Sequence, residues 1–338
     1  MSNDETDAVR PLDETTRGHM PQARWMVGGA FRYDRNLLVL LQFLKTYYPP
    51  RAVGRVAGVV QGAWSLVHRE VLPPVPEVYY RALLEAYARV QVGVVLVFDN
   101  PTLPADSLRD EGLHRMVQQL LLAEYNPTGA NAVCVASDAL AATLREKYPR
   151  LTLMCHPHRA IVEPGRRSPE FYEKLEELYH RVVLHPRDAV VPELFGKLQH
   201  VERYEAVVND PLPRNYASRR ELLGVMAALR LRPWDAALLR AQERLLSLAE
   251  AGKPAPACCL TQREEAALYE AGIRSFVVQS VAYRNELTLY YDLLSHLFRT
   301  QPELSNRAAL IMGAAMAHIR ESAVSLPSGL SFFSTVDF

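Results

Sequence analysis

Short apolar runs alternate with amphipathic stretches along the whole chain. Eight short apolar runs each end abruptly at a polar or charged residue. The clearest, 92–98 (Val-Gly-Val-Val-Leu-Val-Phe), is continuously apolar, as is typical of a strand covered on both faces. The predicted strands are 25–31, 53–61, 92–98, 132–136, 151–155, 181–184, 204–208 and 275–278.

Helical periodicity follows each run. The predicted helices are 36–48, 77–90, 105–125, 139–148, 169–179, 191–198, 261–269 and 286–298. Asp106 or Ser107 is the expected cap of the third helix, and Ser168 before Pro169 is a helix start. Thr261 and Glu264 form a capping-box pattern that opens the seventh helix.

The regular alternation of strands and helices, with short joints, predicts a parallel α/β fold with right-handed crossovers. Eight units favour a TIM-like (β/α)8 barrel. A doubly wound open sheet remains the alternative, because Gly54, Gly58 and Gly62 weaken the second strand.

Four regions are predicted along the chain. Residues 1–22 form a polar, disordered lead, and the barrel extends over 23–300. A helical insertion after the seventh strand, 215–256, is split at Pro233. Residues 301–338 form a C-terminal helical extension, with a helix at 306–319 and an apolar tail. This tail is a candidate contact with a partner protein or with the second subunit of a homodimer.

Composition narrows the classes of function. Lys+Arg and Asp+Glu both total 38, so net charge gives no reason to expect a nucleic-acid partner. No apolar stretch approaches the roughly 18–20 residues that cross a bilayer, and the N-terminus lacks a signal-like segment. We therefore expect a cytoplasmic protein without a membrane partner, whose four cysteines are reduced.

In a (β/α)8 barrel, the C-terminal strand ends form the rim at which enzymes of this class place their chemistry. His156-Pro-His158 follows the fifth strand and His185 follows the sixth. On an extended segment, His156 and His158 would face the same way because side chains repeat every two residues. These three histidines are the predicted ligands of a divalent metal ion (Zn²⁺, Fe²⁺ or Mn²⁺). Hydrogen bonding to neighbouring loops is the alternative role.

A metal-free arrangement is also open. Asp99 or Asp210 would act as the general base and His185 as the acid, because a carboxylate in a dry barrel mouth has a raised pKa. The residues predicted to bind the substrate are Arg32, Arg187, Asn209, Arg214 and Gln279. The competing interpretation is that the segments at Asp99 and Asp210 are Asx turns that leave a strand.

Three segments resemble the collagenase-like peptidase family. They are RYEAVVNDPLPRNYASRREL (203–222), CLTQREEAALYEAGIRSFVVQSVAYRN (259–285) and NAVCVASDALAATLREKYPRLTL (131–153). The resemblance implies a TIM-like barrel and, in several relatives, an iron–sulfur cluster bound by four cysteines. Here Leu212 and Tyr216 occupy two of those positions, and the neighbouring Cys258 and Cys259 cannot hold a cubane. An iron–sulfur cluster, peptidase activity and hydroxylase activity are therefore not expected.

Three functions remain open at this level. The first is an enzyme that acts on a small polar or anionic metabolite at the rim by general acid–base chemistry, with or without a metal ion. The second is a non-catalytic barrel subunit or scaffold that has lost the cluster chemistry of its relatives. The third is a redox enzyme with a degraded cluster.

Overall fold

The computed structural model describes residues 20, 22–47, 53–66, 75–123, 131–164, 167–210, 212, 216–251, 260–280 and 286–298. Its strands are β1 (Arg24–Gly28), β2 (Val53–Val59), β3 (Gly93–Phe98), β4 (Ala132–Val135), β5 (Thr152–Cys155), β6 (Arg181–Val183), β7 (Tyr204–Val207) and β8 (Ser275–Val278). All pairs are parallel, neighbours in sequence are neighbours in space, and β8 closes onto β1. The predicted (β/α)8 barrel is confirmed, and the open sheet is wrong.

Helices follow the strands on the outside of the barrel. They are α1 (Asp34–Tyr47), α2 (Glu77–Arg89), α3 (Glu111–Leu122), α4 (Asp138–Lys147), α5 (Pro157–Val162), α6 (Pro169–Glu176), α7 (Pro192–Phe195), α8 (Arg219–Leu231), α9 (Ala236–Ala251), α10 (Gln262–Glu270) and α11 (Glu286–Phe298). Ser137, Ser168 and Thr261 cap α4, α6 and α10 through their hydroxyl oxygens. The capping box at Thr261 is confirmed.

The third predicted helix, 105–125, is broken in two. A 3-10 turn covers Ala105–Arg109, and α3 starts only after Asp110. The Asp110 carboxylate accepts a hydrogen bond from the Leu113 amide at 3.0 Å and therefore caps a new helix. The predicted caps Asp106 and Ser107 were wrong because this later aspartate satisfies the free amides.

The segment after β5 also differs from the prediction. His156-Pro-His158 is not extended, because α5 begins at Pro157, a residue whose fixed φ suits the first helical position. His156 is the N-cap residue, and its Nδ1 accepts a hydrogen bond from the His158 amide at 3.3 Å. The two imidazole rings meet edge to face, 4.3 Å apart, instead of lying side by side.

The barrel wall has two apolar faces. The interior is filled by Met26, Ala57, Val95, Val97, Ala132, Cys134, Met154, Val183, Val207 and Val277. A larger core lies between the strands and the helices and includes Cys155. Cys134 and Cys155 therefore lie on opposite faces of the wall, and burial raises the pKa of both thiols. Both are inert packing residues.

A charged cluster closes the N-terminal end of the barrel. We call this cluster, Arg55, Arg181, Glu205 and Ser275, the floor. The fully buried Glu205 carboxylate pairs with Arg55 at 2.5 Å and with Arg181. Arg181 also donates to the Ser275 hydroxyl oxygen at 2.6 Å. Burial pushes the pKa of Glu205 up, but the two arginines outweigh it and the pKa lies below its usual range.

Two helices, α8 and α9, form an antiparallel hairpin in the part of the chain between β7 and β8. The turn that joins them contains Pro233, as predicted, and Asp235 begins α9 by accepting the amides of Ala237 and Leu238. The described residues include no helix that is long and apolar enough to span a membrane. The predicted lead up to residue 19 and the C-terminal extension, with its helix at 306–319, lie outside the described residues.

Candidate active site at the barrel rim

The strand alternation places five of the predicted site residues toward the barrel axis. Each lies two positions beyond a strand residue whose side chain fills the interior, so its side chain is on the same face. The five are Asp99, His156, His185, Asn209 and Gln279. The structure thus brings these predicted residues together on one rim.

His185 is a neutral imidazole held in one orientation. Its Nδ1 accepts a hydrogen bond from the Arg187 amide at 3.0 Å, so the ring proton resides on Nε2. The residue is 3% exposed, and burial together with the charge of Arg167 lowers its pKa to about 3. Among the described residues, no hydrogen-bond partner of Nε2 is found. The role of His185 as the acid stays a prediction.

The network beneath His185 explains this orientation. The Tyr172 hydroxyl accepts a hydrogen bond from the His185 amide at 3.2 Å and donates to Asp188 at 2.6 Å. Arg167 Nε pairs with the same oxygen of this carboxylate at 2.5 Å. Because Asp188 is already occupied by two partners, it fixes the loop after β6 and the backbone that carries His185.

Asp210 faces an arginine that sequence patterns did not reveal. Its Oδ2 lies 2.8 Å from Nη1 of Arg219, the first residue of α8, and both side chains are almost fully buried. Its Oδ1 accepts the Leu212 amide at 2.9 Å, so the Asx-turn interpretation is also correct for this residue. Burial raises the pKa of Asp210, although Arg219 and the nearby His158 oppose the rise.

Asp99 and Asn209 have structural contacts. The Asp99 carboxylate accepts the Leu66 amide at 2.8 Å, and its carbonyl oxygen lies 2.8 Å from Nδ1 of His158. Asn209 donates to the Gln279 carbonyl at 2.9 Å and accepts the Gln279 amide at 2.7 Å. These bonds join neighbouring strand ends. Within the loop after β3, Asn100 accepts the Thr102 amide at 3.1 Å in a local Asx turn.

The predicted arginines are placed differently from one another. Arg187 is exposed next to His185, and Arg32 lies over the ring of Tyr33, 5.0 Å from its centroid. Arg214 lies outside the described residues. Within the part of the chain that is described, no group of three His, Cys, Asp or Glu side chains is arranged to hold a metal ion. The divalent metal at the histidines stays a prediction.

Helix α8 covers the rim. Arg219 at its start contacts Asp210 after β7, and near its end Nε of Arg230 donates to the Gly62 carbonyl after β2 at 2.9 Å. Eleven residues of helix rise about 16 Å, and the chord from β7 to β2 across an eight-stranded barrel is about 14 Å. The helix also contacts α5 after β5. Three points around the mouth therefore locate α8 above it.

Arg230 was missed because its partner is distant in the chain and lies in an unremarkable loop, and Arg219 was missed although its partner Asp210 was a predicted site residue. Gly62 and Arg230 are 168 residues apart. The only local signal was that the helical insertion follows the seventh strand directly. Leu222 and Leu229 on α8 are buried, and an apolar stripe on an inserted helix indicates that it packs on the barrel.

The described cysteines do not fit an iron–sulfur cluster, because Cys134 and Cys155 are separated by the barrel wall. Of the two cluster-type positions, Tyr216 donates its hydroxyl to the Leu245 carbonyl at 2.5 Å and so joins the insertion to α9. Cys258 and Cys259 lie outside the described residues.

These features define a (β/α)8 barrel with a covered C-terminal rim. No protein-family model and no curated protein matches the chain. Among solved structures, it is similar to the U32 peptidase Mk0906, with 14% identity and a TM-score of 0.46 over 80% of this chain and 96% of that one. The U32 peptidases are the collagenase-like family that the sequence motifs resemble. At this identity and TM-score, the likeness supports no further inference about this chain.

Proposed function

We propose that this barrel is an enzyme that binds a small carboxylate- or phosphate-bearing molecule at the rim and transfers a proton there. The observation that supports the proposal is His185. A buried neutral imidazole, fixed through Nδ1, directs an Nε2–H donor at the mouth of the barrel. Donors of this kind stabilise a developing oxyanion when they are oriented in advance.

Asp210 is the better candidate for the general base. Its raised pKa brings the carboxylate closer to the range in which it takes up a proton from a substrate. Asp99 accepts a backbone amide with its carboxylate and is held by the loop after β2. Arg219, Arg187 and Arg32 supply positive charge around the rim for an anionic group.

Anion binding tests the proposal. Thermal unfolding and isothermal titration calorimetry measure the binding of phosphate, acetate and citrate. Sodium chloride at equal ionic strength is the reference. We expect a stabilising anion whose Kd rises about tenfold or more in His185→Asn, since a charge-assisted hydrogen bond is lost. Asparagine keeps an acceptor for the Arg187 amide but lacks the Nε2 donor.

Arg187→Ala and Arg150→Ala form the matched pair for this test. Both arginines are exposed, but Arg150 precedes β5 and therefore lies at the opposite end of the barrel. Only Arg187→Ala should weaken anion binding. An equal effect of both variants, or no anion that stabilises more than chloride, would contradict the proposal.

The metal-assisted version needs its own measurement. Each of His156, His158 and His185 has Nδ1 engaged by the backbone, so a metal ion would have to bind at Nε2. Metal analysis of the purified protein is compared with a triple His→Ala variant. Zinc, iron or manganese at one per chain that disappears in the variant supports a metal site; metal that persists removes it.

A further inference from the structure

The rim residues are covered in the structure. Asp99, His185 and Asp210 are 2%, 3% and 5% exposed, although they lie at the open end of a barrel. Part of this cover is α8, which crosses the mouth. A small molecule that reaches His185 therefore needs a movement of the cover, as in enzymes whose loops or helices close over the substrate.

The two ends of α8 are held unequally. At its start, Arg219 makes an ion pair with the buried Asp210 and donates to the Leu212 carbonyl at 2.7 Å. At its end, Arg230 makes one hydrogen bond to the neutral carbonyl of Gly62. An ion pair combined with a hydrogen bond is the stronger attachment, so the end at Arg230 is the one that separates first.

The turn beyond α8 is not packed against the barrel. Leu231 is 68% exposed and Trp234 is 90% exposed, so movement of the turn itself loses little apolar burial, and the buried Leu229 is the apolar side chain at this end of α8 that loses packing. The acceptor on the other side is rigid by contrast. A Cβ on Gly62 would lie 2.7 Å from Leu113, which shows how closely the Gly62 backbone packs on α3.

We propose that the α8–α9 hairpin is a hinged cover of the rim, held closed by the bond from Arg230 to the Gly62 carbonyl. The end at Arg219 stays on Asp210, and the end at Arg230 lifts to admit a small molecule. This inference rests on the proposed function for its biological meaning, because the covered residues are those of the proposed site.

Chemical modification of histidines measures the opening directly. Diethyl pyrocarbonate acylates accessible neutral imidazoles, and mass spectrometry gives the rate at each position. His200, whose side chain is 54% exposed, is the accessible reference, and His296, whose side chain is fully buried between α10 and α11, reports general loosening. We expect Arg230→Ala to raise the rate at His185 about tenfold, the factor for one lost hydrogen bond.

Arg240→Ala is the control, because this arginine is exposed on α9 in the same hairpin. It should leave the rate at His185 unchanged, as should Arg230→Lys, which retains a donor. The cover is refuted if His185 reacts equally fast in wild type and Arg230→Ala, or if His296 accelerates with it.

Hydrogen exchange in the wild-type protein gives a second test that needs no variant. Amides in the last turn of α8 should exchange with a lower free energy of opening than amides near Arg219. Equal free energies of opening along α8 would overturn the hinge. Neither experiment contains a ligand. A failure here therefore leaves the anion-binding result intact, and a failure of anion binding leaves the cover intact.

Discussion

The two ends of the barrel use similar polar residues for different purposes. At the floor, the Glu205 carboxylate makes ion pairs with Arg55 and Arg181. The Ser275 hydroxyl oxygen accepts a hydrogen bond from Arg181. At the rim, His185 is neutral, and its Nε2 has no partner within the described chain. The charges of the floor are paired with one another through Oε1 of Glu205, although its Oε2 has no hydrogen-bond partner among the described residues, whereas the rim has a donor that its neighbours orient.

This difference shows that polarity at a strand end does not identify a site by itself. Buried charges are retained when they are paired, and Oε1 of Glu205 is paired with two arginines without a ligand. The rim differs because its donor is fixed in direction before any partner arrives. A hydrogen-bonding group that its neighbours orient, but to which they do not bond, indicates a functional site.

The largest effect is expected at the floor. Glu205→Gln leaves Arg55 and Arg181 without their carboxylate, which should lower the free energy of unfolding by about 3 kcal/mol. Urea denaturation measures this loss. Glu202→Gln is the control, since this side chain is 69% exposed and should change stability little. A loss below about 1 kcal/mol would mean that the floor does not depend on its charges.

At the rim, Arg219→Ala should cost about 2 kcal/mol at pH 8, because it leaves the buried Asp210 without its cation. The loss should shrink toward pH 5. Burial favours the protonated form of Asp210 in the folded state, so the folded protein takes up a proton that the unfolded chain takes up only at lower pH. Urea denaturation at both values, with the exposed Arg220→Ala as control, measures the change. A penalty that grows in acid would contradict the expected sign.

His185 should make stability fall in acid. The unfolded chain binds a proton near pH 6.5, whereas the folded pKa is about 3, so folding becomes less favourable between these values. The slope is at most about 1.4 kcal/mol per pH unit. His185→Asn should remove this part of the slope, while the exposed His200→Asn should not. Parallel curves of unfolding free energy against pH for wild type and His185→Asn would show that His185 is not buried neutral.

The smallest effect is expected for Ser137→Ala, which tests whether this rim residue has a structural role only. Ser137→Ala removes the cap of α4 and should cost about 1 kcal/mol in thermal unfolding without changing anion affinity. Thr143→Ala on the same helix is the control, because its hydroxyl is exposed and bonds only to the Ala139 carbonyl. Weakened anion binding in Ser137→Ala would place this serine in the site.

Much of the fold was predictable because its signals are local. Continuous apolar runs such as β3 marked strands, and caps such as Ser168 marked helix starts. The errors came from competing local choices. Asp110 replaced the earlier caps, and Pro157 began a helix where an extended strand end was expected. In each error a second residue one to four positions away offered the backbone a better arrangement.

The site was predictable only in part. Strand alternation was enough to gather His185, Asn209 and Gln279 at one rim. It could not show that the Asn209 side chain donates a hydrogen bond to the Gln279 backbone, since the two residues are 70 positions apart. It also could not show that burial raises the pKa of Asp210, because burial depends on the tertiary surroundings of the carboxylate.

The sequence by itself determined the eight strands and the end at which polar residues collect, since these follow from periodicity and residue type, and it favoured a barrel without excluding an open sheet. Only the tertiary structure decided the protonation of His185, the pairing of Asp210 with Arg219 and the position of α8 over the mouth. The physical reason is that burial and ion pairing depend on residues far apart in the chain, and a pKa depends on both.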